Sequence, residues 1–217
     1  MISFKNVSKR YPDGYVALNN IDLSVEPGEM VFLTGHSGAG KSTLLKLIAA
    51  IERPTSGTIT ISGQNIAQLK LGAIPYLRRK IGFIFQDHKL LFDRNVFDNV
   101  LLPLQIGSFE NHMMVSRVRA ALDKVGLLKK EKSMPIALSG GERQRLCIAR
   151  AVVHRPGVLI ADEPTGNLDV DYARDIMAMF TSFNQVGVTV LIATHDASLL
   201  EDTQHRVLSL KQGKLAA

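Results

Sequence analysis

The sequence predicts an α/β protein whose parallel strands carry a polyphosphate site at their ends. Three observations predict it. Gly35, His36, Ser37, Gly38, Ala39, Gly40, Lys41 and Ser42 spell a complete G-x-x-x-x-G-K-[ST] loop between an apolar run and an apolar helix candidate. The run at 158–161 and, apart from Thr189, the run at 188–193 are apolar throughout, as strands covered on both faces must be. The first of those runs ends in two carboxylates, Asp162 and Glu163. A chain of 217 residues fits one such domain, or one with an inserted subdomain.

Taken in order, Ile2 and Phe4 alternate with polar residues, and so do Ile21, Leu23 and Val25. Both patterns predict half-buried strands. Pro27-Gly28 marks a turn before a buried strand over 30–33. The loop then leads into a helix predicted over 43–51. Its glycines let backbone N–H groups turn inward without a Cβ clash, and the helix N-terminus adds its unpaired donors. Lys41 is placed to reach the β- and γ-phosphates, and the Ser42 hydroxyl to ligate Mg²⁺. The β-branched run 58–61 closes in Ser62-Gly63, and the strand over 81–85 delivers Gln86.

From 87 to 137 the pattern turns helical. Met114, Val118, Ala121 or Leu122, and Val125 recur at helical spacing, with Gly126 as the stop. Beyond Ser139, strands and helices alternate again. Ile176, Met179, Phe180, Phe183 and Val186 form a helical stripe, read as core packing.

The chemistry falls at strand and helix ends. Asp162 and Glu163 sit at the tip of a buried strand, where open α/β sheets bind ligands. Asp162 suits Mg²⁺, held through water because that ion keeps much of its hydration shell. Glu163 is then free to polarise an attacking water as general base. Ser139-Gly140-Gly141-Glu142 opens another helix. It fits a capping box, and it equally fits a second anion nest. Two anion sites about a hundred residues apart suggest that the second serves a nucleotide held by another copy.

Composition narrows the rest. The net charge is +6, but the basic residues are scattered and no basic–aromatic interleaving suggests a nucleic-acid surface. No nucleic acid is therefore expected as a partner. The single Cys147 excludes an internal disulfide and is expected to be a buried small residue in a reducing compartment. No apolar run approaches the roughly 18 residues that suggest a membrane span. The first residues lack the pattern of a signal peptide, so a cytoplasmic chain is expected. His88, His112, His154 and His205 show no metal-ligand spacing and read as surface or packing residues.

The stretch from Leu138 to Gln144 matches the signature of the ABC (ATP-binding cassette) proteins, and the chain resembles their nucleotide-binding domain over its whole length. The resemblance implies a P-loop NTPase with a RecA-like core and an N-terminal antiparallel β subdomain, together residues 1–86 and 138–217. Residues 87–137 would be an inserted α-helical subdomain. It implies hydrolysis of ATP with Mg²⁺ in a head-to-tail homodimer. Each ATP would lie between one phosphate loop, extended to Thr43, and the partner's Ser139, Gly140, Gly141, Glu142 and Gln144. Tyr11 matches the aromatic that stacks on adenine. Gln86 matches the glutamine that contacts Mg²⁺ and the attacking water, sharing the metal with Ser42 and Asp162. His195 matches the switch histidine at the γ-phosphate. Asn167-Leu168-Asp169 matches the D-loop, with Asn167 where the family more often has Ala.

The stretches 85–91, 98–100, 102–104 and 161–169 resemble one branch of that family, which holds lipoprotein-release, macrolide-export and cell-division ATPases. His36 and the pair Asp87-His88 resemble its cell-division members most. That likeness implies an integral membrane subunit, and other division proteins, at the cytoplasmic face of the bacterial inner membrane. Dimer closure would be transmitted through the membrane subunit to cell-wall hydrolases.

Overall fold

A computed structural model describes residues 1–107, 109–166, 168–201 and 203–216. Its strands are β1 (Ile2–Arg10), β2 (Val16–Val25), β3 (Met30–Thr34), β4 (Ser56–Ile61), β5 (Gln64–Asn65), β6 (Ile81–Ile84), β7 (Val158–Asp162), β8 (Thr189–Ala193), β9 (Arg206–Lys211) and β10 (Lys214–Leu215). Its α-helices are α1 (Lys41–Ile48), α2 (Ile74–Arg78), α3 (Val96–Ile106), α4 (Asn111–Lys124), α5 (Gly140–Val152), α6 (Val170–Gln185) and α7 (Ser198–Glu201). No helix among the described residues is long and apolar enough to cross a membrane.

Two sheets divide the strands. One is antiparallel, in the order β2-β1-β4-β5. The other runs β10-β9-β3-β8-β7-β6, parallel except at the β10 edge. Each central strand divides its side chains between two cores, because successive residues point to opposite faces. Met30 and Phe32 of β3, with Val190 and Ile192 of β8, pack against Leu146, Ile176 and Phe180. Val31, Leu33 and Leu191 pack on the other face against Leu44, Leu45 and the antiparallel sheet. That two-sided cover is why these strands read as unbroken apolar runs. Each such side chain, fully buried, contributes about 1.5–3 kcal/mol of transfer free energy.

Two local expectations need correction. The helix expected over 43–51 begins at Lys41 and ends at Ile48, because the phosphate-loop lysine already adopts helical geometry. Val186, expected in the apolar stripe of α6, caps that helix and is 78% exposed. The stripe is continued by Ile176 and Phe180, which are fully buried. Gly126, at φ +72°, lies just past the end of α4, where a left-handed residue closes a helix.

Strand order places the site. The C-terminal ends of β3, β8, β7 and β6 lie side by side. They deliver the phosphate loop, His195, the Asp162-Glu163 pair and Gln86 along one edge of the sheet.

Candidate active site

At that edge is a cleft of about 580 Å³. It is lined by His36, Ser37, Gly38, Ala39, Gly40, Lys41, Ser42 and Thr43 from the loop, and by Gln86, Glu163 and His195 from three strand ends. Tyr15 completes the lining. The loop wraps tightly because its glycines accept what other residues would not. Gly40 sits at φ +108°, and a Cβ there would lie 2.4 Å from the Ala17 carbonyl oxygen. Gly35 is equally closed in by the Leu210 carbonyl, 2.3 Å from its would-be Cβ. Gly40 supplies no side-chain cap to α1, so the first N–H groups of that helix have no side-chain acceptor at the cap.

Lys41 is buried and its ammonium is held inside the loop. It donates to the Gly35 carbonyl at 2.7 Å and lies 3.4 Å from Glu163 Oε1. Glu163 is partly buried, and its other oxygen meets His195. Oε2 is 2.8 Å from His195 Nδ1 and accepts the His195 backbone N–H at 3.2 Å. The Glu163 backbone is left-handed, at φ +50°, which costs a residue with a Cβ about 1–2 kcal/mol. Its N–H donates to the Ala193 carbonyl at 2.9 Å, so β7 and β8 hold the turn that points the carboxylate into the cleft. Strain of this kind is held by surrounding structure and gathers at functional sites.

Asp162, one residue earlier, is buried. Burial pushes its carboxyl above the ordinary carboxylate range, and a hydrogen bond from Ser42 offsets this in part. Its Oδ1 is buried with no hydrogen-bond partner among the described residues. An orphaned carboxylate oxygen beside a serine hydroxyl is a donor set suited to a hard cation such as Mg²⁺. A cation there would reverse the effect of burial.

The other expected residues lie outside the cleft lining. The Tyr11 hydroxyl donates to Glu52 Oε1 at 2.9 Å and sits 3.2 Å from Thr43 Oγ1. Burial, ahead of the hydrogen bonds and the Glu52 charge, raises its phenol above the usual range. Ser139, Gly140, Gly141, Glu142 and Gln144 open α5 and do not touch the cleft of their own chain. There the capping box is complete. Ser139 Oγ accepts the Glu142 N–H at 3.2 Å, and Glu142 Oε2 accepts the Ser139 N–H at 3.0 Å. Gly141 packs beneath Tyr172, whose ring a Cβ would meet at 2.8 Å. Gln144 is buried, and its amide nitrogen has no hydrogen-bond partner among the described residues. Leu168 packs on the core and Asp169 caps α6, accepting the Tyr172 N–H at 3.0 Å. Asn167 lies outside the described residues.

A phosphate loop, strand-end carboxylates and a second glycine-rich helix start in one chain agree with what known proteins show. The ABC transporter family model matches residues 18–166. The chain belongs to the ABC transporter family. It has the ABC ATPase fold and is an ATP-binding, ATP-hydrolysing cassette. It is 58% identical over 215 residues to the cell division ATP-binding protein FtsE of Escherichia coli K12, covering 99% of this chain and 97% of that protein. It is 45% identical over 213 residues to FtsE of Bacillus subtilis, covering 98% of this chain and 93% of that one. Among solved structures, an ATP-binding cassette captured as a dimer in a post-hydrolysis state, bound to ADP and Pi, superposes with a TM-score of 0.92. That cassette is 34% identical, with 100% of this chain and 97% of that chain covered.

Tyr15 is the cleft residue that motif reading missed. No motif contains it, and only its spacing from Tyr11 in the β1–β2 turn could have marked it.

Proposed function

We propose that this ABC ATPase works in bacterial cell division as the motor subunit of an FtsEX-like complex. Near-complete coverage at 58% identity to a cell-division ATP-binding protein is the observation that carries the reading. Two copies sandwich two ATP molecules, each between one phosphate loop and the partner's signature. The placement of Ser139 to Gln144 away from their own cleft supports that sharing, as does the dimeric state of the similar cassette.

Within each site, the residues divide the work. The N–H groups of the loop and of α1 cradle the phosphates. Lys41 leaves Glu163 and the loop carbonyls to pair with the β- and γ-phosphates. Ser42, Gln86 and Asp162 would hold Mg²⁺, which would neutralise phosphate charge. Glu163, released from Lys41, takes a proton from the attacking water as general base. His195, joined to Glu163, orients that carboxylate and reports the γ-phosphate to the end of β8. Tyr11 stacks on adenine. Leu168 and Asp169, with Asn167, form the D-loop that couples the two sites.

The load lies outside the chain. Beside Gln86 is a largely apolar groove of about 470 Å³, lined among others by Ile51, Phe83, Phe85, Leu102 and Ile106. Its place between the strand edge and the helices of 87–137, read as a helical subdomain, supports docking of an FtsX-like membrane subunit. The complex then sits at the cytoplasmic face of the inner membrane, at the division site. Dimer closure is passed through the membrane subunit to cell-wall hydrolases.

Depletion from cells, with identification of the membrane protein that co-purifies, tests this. Filaments blocked at septation and an FtsX-like partner are expected. Normal division with mislocalised lipoproteins would assign the chain instead to the lipoprotein-releasing or export members of its branch.

A further inference from the structure

We infer that Tyr15 is a second stacking wall for the nucleobase, so that the base is held by an aromatic pair and not by Tyr11 alone. The inference rests on the proposed seating of ATP in this cleft. Both tyrosines flank the turn between β1 and β2. The Tyr11 N–H donates to the Tyr15 carbonyl at 2.9 Å, and the Gly14 N–H to the Tyr11 carbonyl at 3.0 Å. Gly14, at φ +89°, lets the chain reverse between the two rings. Asp13 Oδ1 accepts the Tyr15 N–H at 3.0 Å and fixes the turn from inside. The turn therefore brings the two tyrosines side by side. Their planes differ by 16°, with centroids 6.3 Å apart.

A base between two parallel rings needs them about two stacking distances of about 3.4 Å apart, slightly more than the 6.3 Å between these centroids. A small outward swing of Tyr15, which is 50% exposed, opens the slot to a flat purine. The swing has a hinge and a stop. The Tyr15 hydroxyl donates to the Gly38 carbonyl at 2.8 Å, tying the ring to the phosphate loop. The same hydrogen bond sets the ring at the mouth of the cleft that the phosphates enter. Tyr11 is less free. Its hydroxyl is engaged by Glu52 and Thr43, and the Lys9 ammonium lies 5.1 Å from its ring centroid. A fixed inner ring and an adjustable outer ring make a clamp that accepts any base, because every base has a π-face.

Equilibrium binding to the full chain tests the clamp, using ATP, GTP and inorganic tripolyphosphate as probes. Tyr15→Ala should raise the Kd for ATP and GTP about tenfold, in the range found for loss of one stacked aromatic. Tripolyphosphate, which has no base, should bind Tyr15→Ala within about twofold of wild type. Tyr15→Phe keeps the ring but loses its tie to Gly38, and should recover most of the ATP and GTP affinity lost in Tyr15→Ala, with tripolyphosphate bound within about twofold of wild type. Unchanged ATP affinity in Tyr15→Ala would overturn the inference. So would an equal loss for ATP and tripolyphosphate, which would make Tyr15 only a tether of the phosphate loop. Lys41→Ala separates the two levels of the argument. It should lose ATP and tripolyphosphate together, and full retention of both would remove ATP from this cleft and the clamp with it.

Discussion

Two helices of this protein begin in glycine-rich turns, and their first turns are finished in opposite ways. Helix α1 starts from Gly40 in a left-handed conformation with no side-chain cap and no acidic residue in its first turn. Helix α5 starts from Ser139 with both hydrogen bonds of a capping box, and Lys130 pairs with Glu142 there. The first leaves donors and positive dipole open to a ligand, while the second satisfies its own ends. An uncapped start makes a binding site at the cost of local stability. A capped start is stable alone, yet Gly140 still leaves its outer face bare, since among the described residues nothing beyond its chain neighbours and its own helix lies within 4 Å of a Cβ built there. The first should fail in function when altered, and the second in stability or in the dimer.

The largest expected effect lies at the carboxylate beside the uncapped helix. Glu163→Gln should lower kcat about 10²- to 10⁴-fold while ATP binding survives, read by single-turnover hydrolysis. A variant turning over at the normal rate would take the general-base role away from this residue. Lys41→Ala should cut kcat/KM by at least about a hundredfold, measured by phosphate release.

Gly140→Asp sharpens the contrast with α5. A carboxylate at a helix start is favourable to the fold but repels a partner's triphosphate. The variant should keep its melting temperature and lose at least about tenfold in ATPase rate. Mixed in equal amounts with Lys41→Ala, it should recover about a quarter of wild-type activity, because about half of random dimers are mixed and each contains one intact site. If the mixture stays as inactive as its components, ATP is not shared between protomers.

Ser139→Ala tests the cap itself. It should lose about 1 kcal/mol of stability, a drop of about 2–4 °C in Tm by calorimetry. The smallest effect concerns Cys147, within α5. Burial pushes its thiol up to about 12. Iodoacetamide at pH 8 should label the native protein at least about tenfold more slowly than the urea-unfolded chain.

How much of this was legible from residues depends on whether the signal was local. Lys41, Ser42 and the glycines before them form one contiguous motif, and their spacing alone prescribes an anion cradle. The Ser139–Glu142 pair was equally readable as a cap, since a capping box spans only four residues. The continuous runs of β3, β7 and β8 announced strands covered on both sides. Val186 misled because helical periodicity carries no mark of where a helix ends on the surface. Tyr15 was silent because its meaning comes from a turn that sets it beside Tyr11 and from a hydrogen bond to Gly38, 23 residues away.

The sequence by itself determined the chemistry of each strand end: a phosphate loop, a glutamine, a carboxylate pair and a histidine, each after an apolar run. Their chain order is loop, Gln86, Glu163, His195. Only the tertiary structure set the spatial order, loop, His195, Glu163, Gln86, by inserting β8 between β3 and β7. That insertion puts Glu163 within reach of both Lys41 and His195. The physical reason is that strand pairing is a long-range choice. It is fixed by which apolar faces and crossovers pack together, and no local stretch of residues encodes it.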